Sequence, residues 1–189
     1  TQFDETGLGV KYRIHSIAAV IANEKLKALN TLNHNRVSTL NYFSERLHET
    51  KSVVPPITKE YAERGGYYGY KPIYNASHLN ELKITDFLKI LQAEGVDIRT
   101  TVTPPLHRTE LFSHSKNYNI SRNLSPIPEK ILYTPDDFPN SEWFHGNHLS
   151  FATFSNSDDR PIIDRYLKAI HKVERILIDN PNILNKTQS

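Results

Sequence analysis

Apolar residues in the first quarter of the chain recur at the spacing of an α-helix. Residues 14–48 contain no proline or glycine, and apolar side chains return mostly every third or fourth position, at Ile14, Ile17, Ile21, Ala28, Leu32, Leu40, Phe43 and Leu47. The pattern predicts one long helix or two nearly collinear helices, with Ser16 as N-cap and the asparagine-rich segment 30–35 as the weakest point. Because about 35 residues at about 1.5 Å each reach about 50 Å, we expect this helix to join two bodies.

The pattern changes to shorter elements after the prolines at 55 and 56. An aromatic segment at 66–74 predicts a strand with Pro72 at an edge or bulge, and residues 84–91 predict a helix that ends at Gly95. Alternating apolar and polar residues at 96–102 predict a second strand. Six prolines between 104 and 139 predict a mostly irregular connection with a short helical turn near 109–112.

The last part of the chain predicts one more strand and one more helix. The strand covers 148–154, and the helix begins after Asp159 and ends at Asn180, with a buried face made of Ile162, Tyr166, Ala169, Val173 and Ile176. Together the elements predict an α+β fold in which a long N-terminal helix leads into a small antiparallel or mixed sheet with packed helices. We expect an N-terminal segment with a long inter-domain helix at 1–50 and a small α+β domain at 51–189.

Composition and charge narrow the class of protein. The 189 residues are 38% hydrophobic and 23% charged, which is typical of a folded chain. Basic and acidic residues are interleaved and give a net charge of only +2, so we expect no nucleic-acid partner. Cysteine is absent, which excludes disulfides and thiolate nucleophiles and favours the cytoplasm, and no apolar run predicts a membrane span. Methionine is also absent, even at position 1, so we expect a fragment, a processed chain or a sequence that omits modified residues.

Three residues are candidates for binding anions or polar ligands. Lys11 and Arg13 follow two glycines and offer an ammonium and a guanidinium suited to phosphate and carboxylate, although a solvated basic turn has the same sequence. His107 follows two prolines after a predicted strand, where it would donate to a substrate carboxylate or hydroxyl, or simply be a surface histidine.

Other motifs do not amount to a catalytic set. His145 and His148 lack a third metal ligand at a recognisable spacing, so we interpret them as loop histidines and expect no metal. Ser113 and Lys116 have the S-x-x-K spacing, but a polar loop would not desolvate the lysine as an amine nucleophile requires. We therefore expect no catalytic residue within this chain.

Several segments, taken in order, resemble one family. These segments are GLGVKYRIHSIAAVIANEKLKALN, RGGYYGYKPIY, LKILQAEGVDIRTTVTPPLH, and NHLSFATF with the closing helix. They resemble the C-terminal part of the pyridoxal-phosphate sugar aminotransferases of the DegT/DnrJ/EryC1/StrS family. The resemblance covers most of the chain. It implies the small domain of a fold-type I aminotransferase, whose large domain carries the Schiff-base lysine outside these residues.

The resemblance also implies an activity and roles for the candidate residues. The enzyme would transfer an amino group from glutamate or glutamine to a keto sugar or nucleotide sugar with pyridoxal 5'-phosphate as cofactor, and it would work as a homodimer or higher oligomer. Lys11 would contact the cofactor phosphate, where many members have an asparagine. Arg13 would help to receive the donor carboxylate, and His107 would lie near that carboxylate or the sugar.

Two other functions stay open. The chain could be a non-catalytic binding or assembly module that retains the small-domain fold and dimerises through its long helix. It could also be an independent sugar-phosphate binder that uses Lys11, Arg13 and His107.

Overall fold

The computed structural model describes residues 14–62, 66–109, 133–154 and 158–180. Their helices and strands, in chain order, are α1 (Ser16–Lys27), α2 (Leu29–Leu47), β1 (Val53–Val54), β2 (Ile73–Tyr74), α3 (Ile84–Ala93), β3 (Ile98–Arg99), α4 (Pro139–Asn147), β4 (Ser150–Phe151) and α5 (Arg160–Asp179). Short 3-10 turns lie at Ala76–Leu79, Leu106–Arg108 and Pro135–Asp137. The predicted α+β class is confirmed.

The chain divides into two compact units. The first unit contains Thr1–Val20 and Thr101–Gly146, and the second contains Ile21–Thr100 and Asn147–Ser189. The apolar core described below lies in the second unit, and the candidate site lies in the first. The predicted division at residue 50 stays a prediction.

The long predicted helix is interrupted once. Ala28 separates α1 from α2, and its N–H donates to the Lys25 carbonyl at 3.2 Å, while the predicted weak segment 30–35 is helical. The N-cap prediction for Ser16 is wrong, because Ser16 is already the first helical residue. His15 precedes it, and its Nδ1 accepts a hydrogen bond from the Ile17 N–H at 3.3 Å.

The strands of the second unit form an antiparallel arrangement in the order β1, β2, β4, β3. The strand β1 pairs with β2, and β3 pairs with β4, both antiparallel. Two isolated antiparallel bridges join the pairs, Tyr70 to Phe151 and Ile73 to His148. The strands β2, β3 and β4 lie within the predicted segments, whereas β1 was not predicted, and each of the four is only two residues long. Pro72 has no N–H to donate, but its carbonyl accepts the Leu149 N–H at 2.8 Å.

The helix α2 packs its C-terminal half into the core of the second unit. Phe43 is fully buried, and its ring lies 5.2 Å from Tyr70, 5.1 Å from Phe151 and 6.1 Å from Phe154. Each such aromatic pair contributes about 0.5–1.5 kcal/mol beyond the burial of its area. By contrast, α1 buries no side chain.

The helix α5 has the predicted period but a different buried face. Its buried residues are Ile163, Leu167, Ala169, Ile170, Val173, Glu174 and Leu177. The predicted face is therefore wrong at Ile162, Tyr166 and Ile176, which are half-buried, and right at Ala169 and Val173. The start after Asp159 and the end at Asn180 are confirmed.

The segment before β4 is helical, which the sequence did not predict. His145 lies in α4, and His148 is 1% exposed at the bridge to Ile73, so interpreting both as loop histidines is wrong. The predicted turn near 109–112 lies, except for Thr109, outside the described residues, and a described turn at Leu106–Arg108 comes just before it. Of the described helices, none has the length and apolar character needed to cross a membrane.

Candidate functional site

His107 and Arg108 lie in a tight turn that the preceding prolines help to set. The turn Leu106–Arg108 follows Pro105, whose carbonyl accepts the Arg108 N–H at 2.9 Å. Thr109 ends it, since its Oγ1 donates to the Leu106 carbonyl at 2.7 Å. The fixed φ of proline leaves this turn few alternatives. Two adjacent polar side chains are thereby held in fixed directions.

A second turn presents the opposite wall of the site. The N–H and Oγ1 of Thr134 both donate to Asp137 Oδ2 at 2.8 Å, and these two bonds lower the pKa of the Asp137 carboxyl. Phe138 follows, and its carbonyl accepts the Glu142 N–H at 3.0 Å as α4 begins. Glu142 therefore lies in the first turn of α4, where a carboxylate is favoured by the helix dipole.

The two turns meet at the carboxylate of Glu142. Its Oε1 lies 2.5 Å from His107 Nε2 and accepts the Nε–H of Arg108 at 2.7 Å, and its Oε2 accepts from Arg108 Nη2. We call Glu142, His107 and Arg108 the Glu142 cluster. The His107 ring is 6% exposed and stacks on Phe138 at 4.7 Å with an interplanar angle of 19°.

The charges of the cluster are fixed by these contacts. The hydrogen bonds from Arg108 and then His107 lower the pKa of Glu142 to about 2, so this carboxylate is ionised at neutral pH. The same contact raises the pKa of Arg108. Since Nε and Nη2 of the guanidinium both donate to Glu142, Arg108 neutralises the charge of this carboxylate.

A cavity of about 410 Å³ opens beside the cluster. It is lined by Leu106, His107, Tyr133, Phe138 and Ser141. Tyr133 meets Phe138 edge to face at 5.4 Å, so two aromatic rings, a histidine and a hydroxyl share one cavity. Aromatic walls with a few polar groups are typical of sites that bind small molecules.

The structure describes one of the three predicted site residues. His107 lies in the cluster, whereas Lys11 and Arg13 lie outside the described residues. Sequence reasoning missed Arg108 and Glu142 as partners of His107. Because 34 residues separate Arg108 from Glu142, no local spacing could pair them.

The described residues do not offer a metal site or a buried lysine. No group of three or more His, Cys, Asp or Glu side chains in the described ranges is arranged to hold a metal ion. Each lysine in those ranges is exposed or half-buried. A Schiff-base lysine needs desolvation or a neighbouring cation to be nucleophilic. None of these lysines is desolvated by burial.

The sequence matches one family model, and the fold resembles solved structures. Residues 1–164 match the model of the DegT/DnrJ/EryC1/StrS aminotransferase family. The uncharacterized protein MJ1066 of Methanocaldococcus jannaschii is 24% identical over 181 residues, which are 91% of this chain and 39% of that protein.

Two solved structures share the fold. One is a DegT DnrJ EryC1 StrS aminotransferase from Brucella abortus, with a TM-score of 0.57 and 22% identity over 92% of this chain and 39% of that chain. The other is an aminotransferase from Psychrobacter cryohalolentis, with a TM-score of 0.63 and 14% identity over 90% of this chain and 41% of that chain. The chain thus spans about two fifths of the length of these relatives.

Proposed function

Since the chain belongs to the DegT/DnrJ/EryC1/StrS aminotransferase family, we propose that it is part of a pyridoxal-phosphate-dependent aminotransferase. The reaction moves an amino group from glutamate or glutamine to a keto sugar or nucleotide sugar. The observation that carries the proposal is the family match over residues 1–164. The proposal includes a cytoplasmic location, for which the cysteine-free sequence is the support.

The described residues fit a positioning role and not covalent attachment of the cofactor. Pyridoxal phosphate, when bound, supplies the electron sink that lets an amino group pass between donor and acceptor. In our proposal Lys11 holds its phosphate, Arg13 receives the donor carboxylate and His107 contacts substrate. The lysine that holds the cofactor lies on a large domain or partner chain, in keeping with the two-fifths coverage of the relatives.

The exposed apolar residues of α1 support a covering partner. Ile17 is 65% exposed, Val20 and Ile21 are also more than half exposed, and Ile14, which lies just before the helix, is 67% exposed. Scattered apolar residues are ordinary on a surface, but several along one helix are typical of an interface. We propose that the large domain and a second subunit of a homodimer cover them.

Reductive trapping of the cofactor tests the proposed function. The protein or complex that contains residues 1–189 is purified from cells that make it, reduced with borohydride and digested, and the pyridoxyl-lysine peptide is sequenced. We expect that peptide to lie outside residues 1–189 and the complex to transaminate a keto sugar. A modified lysine within residues 1–189 would contradict the proposal. A purified complex without any pyridoxyl-lysine would favour the non-catalytic module.

A further inference from the structure

The protonation of the Glu142 cluster follows from its geometry. An ionised carboxylate only accepts hydrogen bonds, and Glu142 Oε1 lies 2.5 Å from His107 Nε2. The hydrogen between them must therefore come from the ring. In a neutral imidazole one nitrogen carries the hydrogen and the other is an acceptor, so a neutral His107 in this contact has its hydrogen on Nε2 and a lone pair on Nδ1.

The surroundings of His107 disfavour an anionic ligand. Glu142 and Asp137 contribute negative charge near His107, and the positive charge of Arg108 is neutralised by its ion pair with Glu142. No other cationic side chain lines the cavity among the described residues. A ligand carboxylate beside Nδ1 of a neutral His107 would meet a lone pair, with the negative charges of Glu142 and Asp137 nearby, whereas a ligand hydroxyl would meet an acceptor.

The shape of the cavity suits a ring with hydroxyl groups. Tyr133 and Phe138 contribute aromatic surface against which the apolar side of a sugar ring can pack, with one face of Phe138 already covered by His107. Ser141 offers a hydroxyl that donates or accepts. The volume of about 410 Å³ falls in the range of small-molecule sites.

We propose that Glu142 is a positioning residue that fixes the Nε2–H form of His107, so that Nδ1 accepts a hydrogen bond from a hydroxyl of a sugar ring in this cavity. The hydrogen bond from a sugar hydroxyl to His107 is argued from the cluster and the cavity. That this sugar is the amino acceptor rests on the proposed function. The proposal removes one alternative left by the sequence, because it assigns His107 to the sugar and not to the donor carboxylate.

The tautomer of His107 is measured directly by NMR. Long-range ¹H–¹⁵N correlation spectra of the full chain at pH 8 separate protonated from unprotonated ring nitrogens, and a His107→Gln variant assigns the signal among the nine histidines. We expect a protonated Nε2 and an unprotonated Nδ1. A ring protonated on Nδ1, or on both nitrogens, would overturn the proposal even if no variant folds.

Two matched variants test whether Glu142 sets the tautomer. In Glu142→Gln the amide can donate to Nε2, so we expect the His107 signal to shift toward the Nδ1–H form. Glu49→Gln makes the same chemical change at another glutamate paired with an arginine, Arg46, and should leave the signal unchanged. An unchanged tautomer in Glu142→Gln would overturn the positioning role.

The ligand class is tested on the same signal. Methyl α-D-glucopyranoside, raised to its solubility limit, should shift the Nδ1 resonance, and L-glutamate at equal concentration should not. A shift with glutamate alone, or with neither compound, would overturn the assignment of the cavity to a sugar. Because this readout needs no cofactor, it is independent of the pyridoxyl-lysine result that decides the proposed function.

Discussion

Glu142 and Glu174 each receive hydrogen bonds from a distant part of the sequence, the first in one unit and the second in the other. Glu142 joins Arg108 and His107 in the first unit, as described above. In the second unit, Glu174 is 7% exposed, and its Oε1 accepts the backbone N–H groups of Lys51 at 2.9 Å and Ser52 at 2.7 Å. Since those amides lie before β1 and have this carboxylate as acceptor, Glu174 holds the start of the strand on α5.

Loss of the Glu174 carboxylate should destabilise the second unit. Glu174→Ala removes the acceptor of two amides, and an unsatisfied buried group costs about 1–3 kcal/mol, so we expect a loss of about 2–4 kcal/mol in the free energy of unfolding. Glu174→Gln keeps an acceptor oxygen and should cost about 0.5–1.5 kcal/mol. Denaturant unfolding measures both. Glu45→Ala, at an exposed position of α2, is the control, and we expect it to change the free energy of unfolding by less than about 0.5 kcal/mol. Equal effects for Glu174→Ala and Glu45→Ala would refute the role of Glu174 in holding β1 on α5.

The Glu142 contacts should make the first unit sensitive to acid. The pKa of Glu142 is about 2 in the folded chain and 4.5 ordinarily, so the unfolded chain takes up this proton at higher pH. The stabilisation is therefore fully present above about pH 4.5 and is lost as the pH falls toward 2.

The melting temperatures of the wild type and Glu142→Gln measure this effect, with fluorescence of the single tryptophan, Trp143, as the probe of α4. We expect the wild type to melt higher at neutral pH and the two curves to converge between pH 4.5 and 2. The lowered pKa of Asp137 acts in both proteins and cancels in the difference. A difference independent of pH would contradict this account.

At the scale of elements, two glycines near helix ends have opposite requirements. Gly95 follows α3 with a φ of +86°, and the Val96 N–H donates to the Leu91 carbonyl at 3.0 Å, which closes the helix. Gly146 lies within α4 at an ordinary φ. A Cβ at either position would have no atom within 4 Å. Only backbone conformation therefore distinguishes the two sites.

Alanine at these two positions should change stability in opposite directions. Gly95→Ala forces a left-handed alanine and should cost about 1–2 kcal/mol. Gly146→Ala lowers the entropy of the unfolded chain and should stabilise by about 0.4–1 kcal/mol. Chemical denaturation of both variants gives the two values. The same sign at both positions would show that an unseen contact, and not φ, governs one of them.

How well the sequence predicts an element depends on how local its signals are. The helix α3 was predicted with its Gly95 end, because its apolar stripe and terminator are adjacent in sequence. In α5 the predicted period is right, but only Ala169 and Val173 of the predicted face are buried, since apolar pairs such as Ile162–Ile163 and Tyr166–Leu167 allow either of two stripes. The helix α4 was missed because it buries no residue and so carries no apolar stripe.

The candidate site was predictable only in part for the same reason. His107 stood out because two prolines precede it, which is a local signal. Its tautomer, its partner Glu142 and the commitment of Arg108 follow from a contact across 34 or 35 residues. The aromatic cavity likewise combines Leu106 with Tyr133 and Phe138. Periodicity within a segment contains no information on which segments meet.

At the scale of the whole molecule, stability is distributed unevenly between helices. The helix α5 buries seven residues, whereas α1 buries none. A helix of 12 residues that lacks tertiary packing is marginally stable in water. We therefore expect α1 to open locally in the isolated chain while α5 opens only on global unfolding.

Hydrogen exchange measured by mass spectrometry tests this difference and the proposed partner together. In the isolated chain, amides of α1 should exchange faster than those of α5, by about tenfold for each 1.4 kcal/mol of difference in opening free energy. In the purified protein or complex that contains residues 1–189 together with the proposed large domain, α1 should gain protection, because the proposed covering body would bury Ile17 and Ile21, while α5 serves as the internal control. Protection of α1 equal to that of α5 in the isolated chain would refute the local instability. Unchanged exchange of α1 in that complex would refute the covering partner and leave the local instability standing.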